Sequence, residues 1–226
     1  MKKWNNERKL FSLMRQELYT AVVGDIMDKH GYVHQFLSPK IRPLKDNMII
    51  AGRAMTVLEA DTNQISDSHL LNKTFGLMLE ALDDLKENEV YICTGSSDNY
   101  ALWGELMSTR AKKLGSAGAV VDGYSRDTNG VLLLDFPTFS YGCYSQDQAP
   151  RGKVVDFRIP IQFGEVMVNP GDIIFGDIDG VCVIPREIEE GIIVEALEKA
   201  SGEKIVKTRL EEGMSACEAF AKYGVI

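Results

Sequence analysis

Two short runs hold the residues best suited to chemistry. Arg126 and Asp127 follow the apolar run Ala117-Gly118-Ala119-Val120-Val121-Asp122-Gly123. Arginine presents a planar, two-pronged donor set to a carboxylate. Aspartate presents a hard oxygen donor suited to Mg²⁺ or Mn²⁺. The second run, Gly104-Glu105-Leu106-Met107, reads as a helix start. Free backbone N–H groups at such a start can hold an anion such as a carboxylate, and glycine lets a ligand approach the backbone closely. Glu105 adds a carboxylate on the same side if the strands leading into the two runs are neighbours. The two runs together describe one pocket with two anion clamps and one metal ligand.

Other motifs are weaker. Asp177-Ile178-Asp179-Gly180 lacks the later acidic ligands of a calcium loop and reads as a tight β-turn. His30 and His34 have the spacing of a helical zinc pair, but Gly31 stands between them and reads as the helix end. The acidic group Asp83, Asp84, Glu87 and Glu89 reads as a solvated helix end. Lys112 and Lys113 read as a solvated helix face, not as a Schiff-base nucleophile. The four cysteines, Cys93, Cys143, Cys182 and Cys217, form no C-x-x-C pair and read as small buried hydrophobes. No Walker loop, nucleophile elbow or strand-borne G-x-G-x-x-G is present.

The elements that must position the pair of runs follow from periodicity. Apolar spacing predicts helices over 7–18 and 21–30, the latter capped by Thr20 and ended by Gly31. Strands are expected at 48–51 and 54–58, split by Gly52, and an amphipathic helix at 69–85. Residues 89–95 read as a buried strand, 104–114 as a helix stopped by Gly115, and 117–123 as the next strand. A short helix around 130–134 leads to a strand at 136–140. Strand, helix, strand, helix, strand with short links implies a parallel core. In such sheets ligands bind beyond the C-terminal strand ends, where both runs fall. From residue 153 to 184, short apolar runs with Gly and Pro-Gly turns have antiparallel texture. Residues 186–200 read as a helix, followed by a polar helix and a short C-terminal piece.

Composition narrows the classes. The chain has 226 residues, a formal charge of −8 and 45% hydrophobic residues, which is ordinary globular composition. The acidic balance and the lack of a Lys/Arg block exclude a nucleic-acid surface. No apolar run approaches the ~20 residues of a membrane span. The polar N-terminus gives no signal peptide, so a cytoplasmic location is expected.

These residues, with Pro170-Gly171-Asp172-Ile173-Ile174-Phe175-Gly176-Asp177-Ile178-Asp179-Gly180-Val181 and the ending from Glu211-Glu212-Gly213-Met214-Ser215-Ala216 to Tyr223-Gly224-Val225, resemble the RraA-like family. That family includes 4-hydroxy-4-methyl-2-oxoglutarate/4-carboxy-4-hydroxy-2-oxoadipate aldolases and the regulator of ribonuclease activity A. The resemblance spans nearly the whole chain and is most specific between 104 and 127. It implies an α/β fold, layered β/β/α of the swivelling-domain type, with C-terminal helices. It implies a single domain over 1–226 with helical N- and C-terminal extensions. It also implies a homotrimer, or a hexamer of paired trimers, with the active site between subunits.

In the aldolases, the resemblance assigns the metal to Asp127 and the pyruvoyl contact to Arg126. It assigns the substrate carboxylate to the backbone of Gly104, Glu105, Leu106 and Met107. The acidic residue after the helix-start glycine holds water on the metal; this chain has Glu105 where aspartate is frequent. Glu203 and Glu211 are candidate carboxylates from a neighbouring subunit. The expected function is a Mg²⁺- or Mn²⁺-dependent aldolase that cleaves a 4-hydroxy-2-oxo acid to pyruvate and a second carbonyl compound. Arg126, Glu105 and Asp127 are its expected catalytic residues, and oxaloacetate decarboxylation is its companion activity. The polar segments 61–69 and 96–103 are expected to line the distal pocket and to favour a hydroxylated substrate. The alternative is a non-catalytic regulator of a ribonuclease or other protein partner. A Schiff-base aldolase is a further rival. Menaquinone methyl transfer, attached to relatives by name, has no methyl-donor loop here.

Overall fold

The computed structural model is described over residues 3–224, so Val225 of the ending lies outside the described residues. The chain begins with helices α1 (Glu7–Glu17) and α2 (Thr20–Lys29), the short strand β1 (Arg42–Pro43) and the long strand β2 (Ile50–Asp61). Helices α3 (Ser68–Asn72) and α4 (Met78–Asp83) lead to β3 (Glu89–Thr94), β4 (Ala101–Trp103) and α5 (Glu105–Leu114). Then come β5 (Gly118–Val121), β6 (Tyr124–Ser125), α6 (Thr128–Leu133) and β7 (Thr138–Ser140). Strands β8 (Gly152–Phe157), β9 (Ile161–Phe163), β10 (Val166–Val168), β11 (Ile173–Asp177) and β12 (Gly180–Ile184) precede α7 (Glu189–Glu211) and α8 (Ala216–Tyr223).

The main sheet runs β1-β7-β5-β3-β2-β11-β12, with β8 also paired to β2. Strands β2, β3, β5 and β7 are mutually parallel, as the alternation of strands and helices predicts. Strands β8, β11 and β12 add antiparallel pairings. Residues 35–37 hydrogen-bond to β12, while Arg42–Pro43 pairs with β7. One segment therefore bridges both sheet edges and nearly closes the sheet, which leaves little edge exposed.

Side chains alternate across this sheet because strand periodicity is two. Val90, Ile92, Val120, Ile174, Val181 and Val183 face an inner core plugged by the β9–β10 hairpin. Tyr91, Cys93, Ala119 and Val121 face outward against α4 and α5. Phe175, Cys182 and Ile184 face α1, α2 and α7. Cys93 and Cys182 are buried as expected, but Cys143 and Cys217 are exposed, because both lie on loop or helix surfaces outside these cores.

Several boundaries differ from the periodicity. Gly52 does not split two strands; it lies inside β2, where a Cβ would stand 2.4 Å from the Asn88 carbonyl oxygen. The expected 69–85 helix is broken into α3 and α4. Between them Gly76 adopts φ +62 and lies against Val154, with a Cβ position only 2.2 Å from that residue's carbonyl oxygen. The helix expected over 186–200 continues through the polar segment as one element of 23 residues. The acidic 83–89 segment is more than a solvated end: Asp83 pairs with Arg110, and Asp84 and Glu89 both grip Arg158. Gly31, at φ +85, ends α2 as expected, and His30 pairs with Glu195 on α7.

Thr20 does not cap α2 with its own side chain. It is the first helical residue, and its N–H and Oγ1 both donate to the Asp177 carboxylate, each at 2.7 Å. Asp177 sits in the tight β11–β12 turn and also accepts from the Asp179 N–H at 2.9 Å. A buried carboxylate with three donors ties the N-terminal helices to the C-terminal hairpin. Asp177→Ala removes that acceptor and is expected to cost about 2–3 kcal/mol of unfolding free energy; urea denaturation measures it, and a loss below about 0.5 kcal/mol contradicts the assignment.

Candidate active site

The pocket is built where two short strands pair beyond the ends of β3 and β5. Strands β4 and β6 are parallel, with Ala101 opposite Tyr124 and Trp103 opposite Ser125. The Arg126 N–H donates to the Trp103 carbonyl at 2.8 Å. This pairing brings the two sequence runs together. A Cβ at Gly104 would stand 2.9 Å from Asp127 Oδ2 and 3.4 Å from Arg126 Cγ. Gly104 is in ordinary extended backbone, so the demand here is for space.

Asp127 adopts φ +54, a left-handed conformation that aspartate tolerates better than most residues. It immediately precedes α6, and its carbonyl accepts the Gly130 and Val131 N–H groups. Its carboxylate is half-exposed and turned back toward the α5 tip. Arg126 lies between two acids: Nη1 donates to Asp147 Oδ1 at 2.6 Å, and Nε is 3.5 Å from Asp127 Oδ2. Asp147 escaped the sequence reading because nothing local marks it; only the fold brings its loop opposite Arg126.

Buried aromatic packing fixes the floor. Trp103 lies between Tyr91 and Phe136, with ring centroids at 5.0 and 6.0 Å. Its Nε1 donates to Ser108 Oγ at 2.7 Å, and that hydroxyl donates to the Gly104 carbonyl at 2.9 Å. The indole is thus tied to the first turn of α5. Among the described residues no side chain caps α5, so the N–H groups of its first turn remain available to an anion.

A cavity of about 450 Å³ opens over this floor. Gly104, Leu106, Met107, Arg126 and Asp127 line it, joined by Asp147 and Gln148. Its far wall is apolar, made by Phe75, Met78, Leu79 and Leu82. This corrects the expected polar distal lining. Segment 61–69 does not line the cavity, and of 96–103 only Ala101, Leu102 and Trp103 do. Asp61 serves the loop instead, accepting from Tyr100 Oη at 2.6 Å and from Ser97 N and Oγ at 3.1 Å. Burial alone would raise the Asp61 pKa, but these bonds hold it below the usual carboxylate value.

Glu105 stands apart from the other expected residues. Its carboxylate packs over α6, where a Cβ on Gly130 would meet Oε2 at 2.2 Å, and it does not line the cavity. Glu203 and Glu211 lie on α7, also outside the cavity lining. Lys112 is exposed and donates to the Leu134 carbonyl, and Lys113 is exposed beside it, as a solvated face requires. Among the described residues no group of three His, Cys, Asp or Glu side chains could hold a metal. A lone half-exposed aspartate fits a hard divalent cation, which binds one or two carboxylates and keeps its remaining positions for water and substrate. It does not fit zinc, which takes three or four protein ligands.

Fold and pocket together define a layered α/β protein with a cleft at the C-terminal ends of its parallel strands, lined by Arg126, Asp127 and the start of α5. The chain belongs to the RraA-like family, whose model, described as Aldolase/RraA, matches residues 20–183. A Halalkalibacterium halodurans protein with the provisional name 4-hydroxy-4-methyl-2-oxoglutarate aldolase is 30% identical over 202 residues, 89% of each chain. A Pseudomonas syringae crystal structure of an uncharacterized protein superposes with a TM-score of 0.84 at 22% identity, covering 99% of this chain and 98% of that one. Streptomyces coelicolor RraAS2, described as an unusual member of the RNase ES inhibitor RraA family, gives 0.79 at 21% identity over 91% and 100%. The last two likenesses establish the fold. No described helix is long and apolar enough to cross a membrane.

Ser108→Ala strands the buried Trp103 N–H. It is expected to lower stability by about 1–3 kcal/mol, read as a drop in thermal midpoint. An unchanged midpoint contradicts the role assigned to this hydroxyl.

Proposed function

We propose that the protein is a divalent-metal-dependent aldolase that cleaves a 4-hydroxy-2-oxo acid to pyruvate and a second carbonyl compound, with oxaloacetate decarboxylation at the same site. The observation that carries this reading is the convergence of Arg126, Asp127 and the uncapped α5 tip on one cavity. The names of several relatives, aldolases in provisional form, support it.

In this reading the α5 N–H groups and Arg126 receive the carboxylate and 2-oxo end of the substrate. Asp127 would hold Mg²⁺ or Mn²⁺. The cation, when bound, supplies Lewis-acid withdrawal of electrons from the 2-oxo group as the C3–C4 bond breaks. Arg126 and the helix tip neutralise the negative charge that develops on the pyruvate fragment, and they act as preorganised donors. Asp147 restrains the guanidinium and lowers the cost of ordering it. Loss of CO₂ from oxaloacetate places charge on the same atoms, so the same donors serve both reactions. Glu105 is the candidate carrier of the C4 hydroxyl proton, reached through water, because its carboxylate lies outside the cavity lining.

A homotrimer or hexamer is part of this proposal. Leu79 and Leu106, exposed at 57% and 83%, line the cavity, and Leu133 on α6 is exposed at 87%. Leucines so exposed beside a cleft suit cover by a second copy, which could bring Glu203 or Glu211 of a neighbour to the site. A pure regulator has no need of the Arg126–Asp127 cleft; a protein partner retained by Asp127→Ala would favour that role.

With Mg²⁺ or Mn²⁺ present, the purified protein is expected to release pyruvate from 4-hydroxy-2-oxo acids and oxaloacetate, and EDTA to stop it. Full release in EDTA, or none with either substrate class, defeats the aldolase reading. Arg126→Lys and Asp127→Asn are each expected to lower kcat/KM by about 10²–10³-fold. Glu105→Gln should lower kcat about 10–100-fold with little change in KM; an unchanged kcat removes Glu105 from the proton path.

A further inference from the structure

One buried acid beside the cavity has no part in the chemistry above. Glu59 lies at a bulge in β2 and is only 2% exposed. Its Oε2 accepts from Gln148 Nε2 at 2.6 Å, and its Oε1 has no hydrogen-bond partner among the described residues. Among the described residues no cation answers it. Lys153, on the neighbouring β8, spends its ammonium on the Thr74 and Ala149 carbonyls. The other titratable groups near Glu59 are Tyr91 and Cys93 on β3 and Tyr100 before β4; none is a cation, and a charge on Glu59 would push each of their pKa values up.

Gln148 is itself 3% exposed, yet it lines the cavity. The loop that carries it is strapped to the site at two further points. Gln146 accepts from the Ala101 N–H at 2.9 Å, and Asp147 receives Arg126. Arg110 is committed to Asp83 and Arg126 to Asp147. Gln148 is thus the one neutral amide among the residues lining the cavity. One N–H of its Nε2 is spent on Glu59, which turns the nitrogen end of the amide into β2 and leaves the opposite, carbonyl end, an acceptor, for the cavity side.

We propose that Glu59 is a positioning residue that locks the Gln148 amide with its carbonyl oxygen toward the cavity, where it accepts a hydroxyl carried by the substrate beyond its reacting C4. The recognition half of this inference rests on the aldolase reading; the lock does not. The far wall is apolar, so a single fixed acceptor discriminates strongly, since a substrate lacking the hydroxyl leaves the acceptor unpaired. Glu59 acts as a neutral acid: burial pushes its pKa up to about 8, against the bond from Gln148, which lowers it. The unfolded chain ionises near the ordinary glutamate value, while the folded chain keeps the proton until about pH 8. The native state therefore binds the extra proton across that window, and its stability falls as pH rises through it.

The test uses the full-length protein with Glu59→Gln, Glu59→Leu and Gln148→Leu. Glu59→Gln keeps the acceptor for Gln148 and should retain wild-type KM for a 4-hydroxy-2-oxo acid that carries a further hydroxyl beyond C4. Glu59→Leu and Gln148→Leu should each raise that KM about tenfold, without adding in the double variant, and leave oxaloacetate, which has no such hydroxyl, within about twofold. Equal losses on both substrates, or none, overturn the recognition. Thermal melts should show wild type losing stability relative to Glu59→Gln between pH 4.5 and 8; parallel curves overturn the neutral buried acid. If wild type releases pyruvate from neither substrate, the aldolase reading and the recognition fall together. The lock is then decided by the ¹⁵N side-chain amide of Gln148: slowed exchange in wild type and Glu59→Gln but not in Glu59→Leu upholds it, and free exchange in wild type overturns it.

Discussion

Two parallel strands of three and two residues, β4 and β6, align the two runs that line the cavity, residues 104–107 and 126–127. Their pairing, extended by the bond from Arg126 N–H to the Trp103 carbonyl, sets Asp127 against Gly104 at near-contact distance. Neither strand could hold position alone, since pairs this short have few bonds to offset their ordering entropy. They are held because Trp103 is sunk between Tyr91 and Phe136 and because β3 and β5 arrive beside each other from the larger sheet. The cleft is therefore a by-product of strand order: only neighbours in the sheet can deliver their following loops to one place.

Charge in the cleft is organised by burial around it. Arg126 is flanked by Asp127 and Asp147, which fix the direction of its fork. The loop bearing Asp147 is anchored one residue later by Gln148 to a carboxyl buried in β2. Such an arrangement spreads the cost of ordering the Arg126 guanidinium over groups that are themselves rigid. The apolar far wall lowers the local dielectric, which strengthens every ionic contact inside.

Much of this was legible in the chain. The parallel core, the antiparallel C-terminal hairpins and both junction loops follow from periodicity and from Gly115, whose φ of +82 ends α5. What periodicity could not reveal was tertiary. Gly52 looks like a strand break, but it answers the Asn88 carbonyl from the adjacent chain segment. Thr20 looks like a self-sufficient cap, but its acceptor lies 157 positions away. Segment 61–69 looks like a polar rim, but Asp61 turns inward to satisfy Tyr100 and Ser97. Asp147 carries no local signal at all. Glu105 is present in the right run, yet Gly130 admits its carboxylate over α6 and away from the cavity. Local rules identify elements; they are silent on which side chains distant segments will draw off.

The sandwiching of β2 bears on how the chain is made. Its first half pairs with β11 and its second half with β8, both more than ninety residues downstream. On a ribosome, β2 would wait with one flank open until nearly the entire chain had emerged, since long-range pairings form late. The nascent N-terminal third thus spends most of translation without its neighbours on that flank, although β3 is close by in sequence on the other, and chaperone demand should track the interval before β11 leaves the exit tunnel.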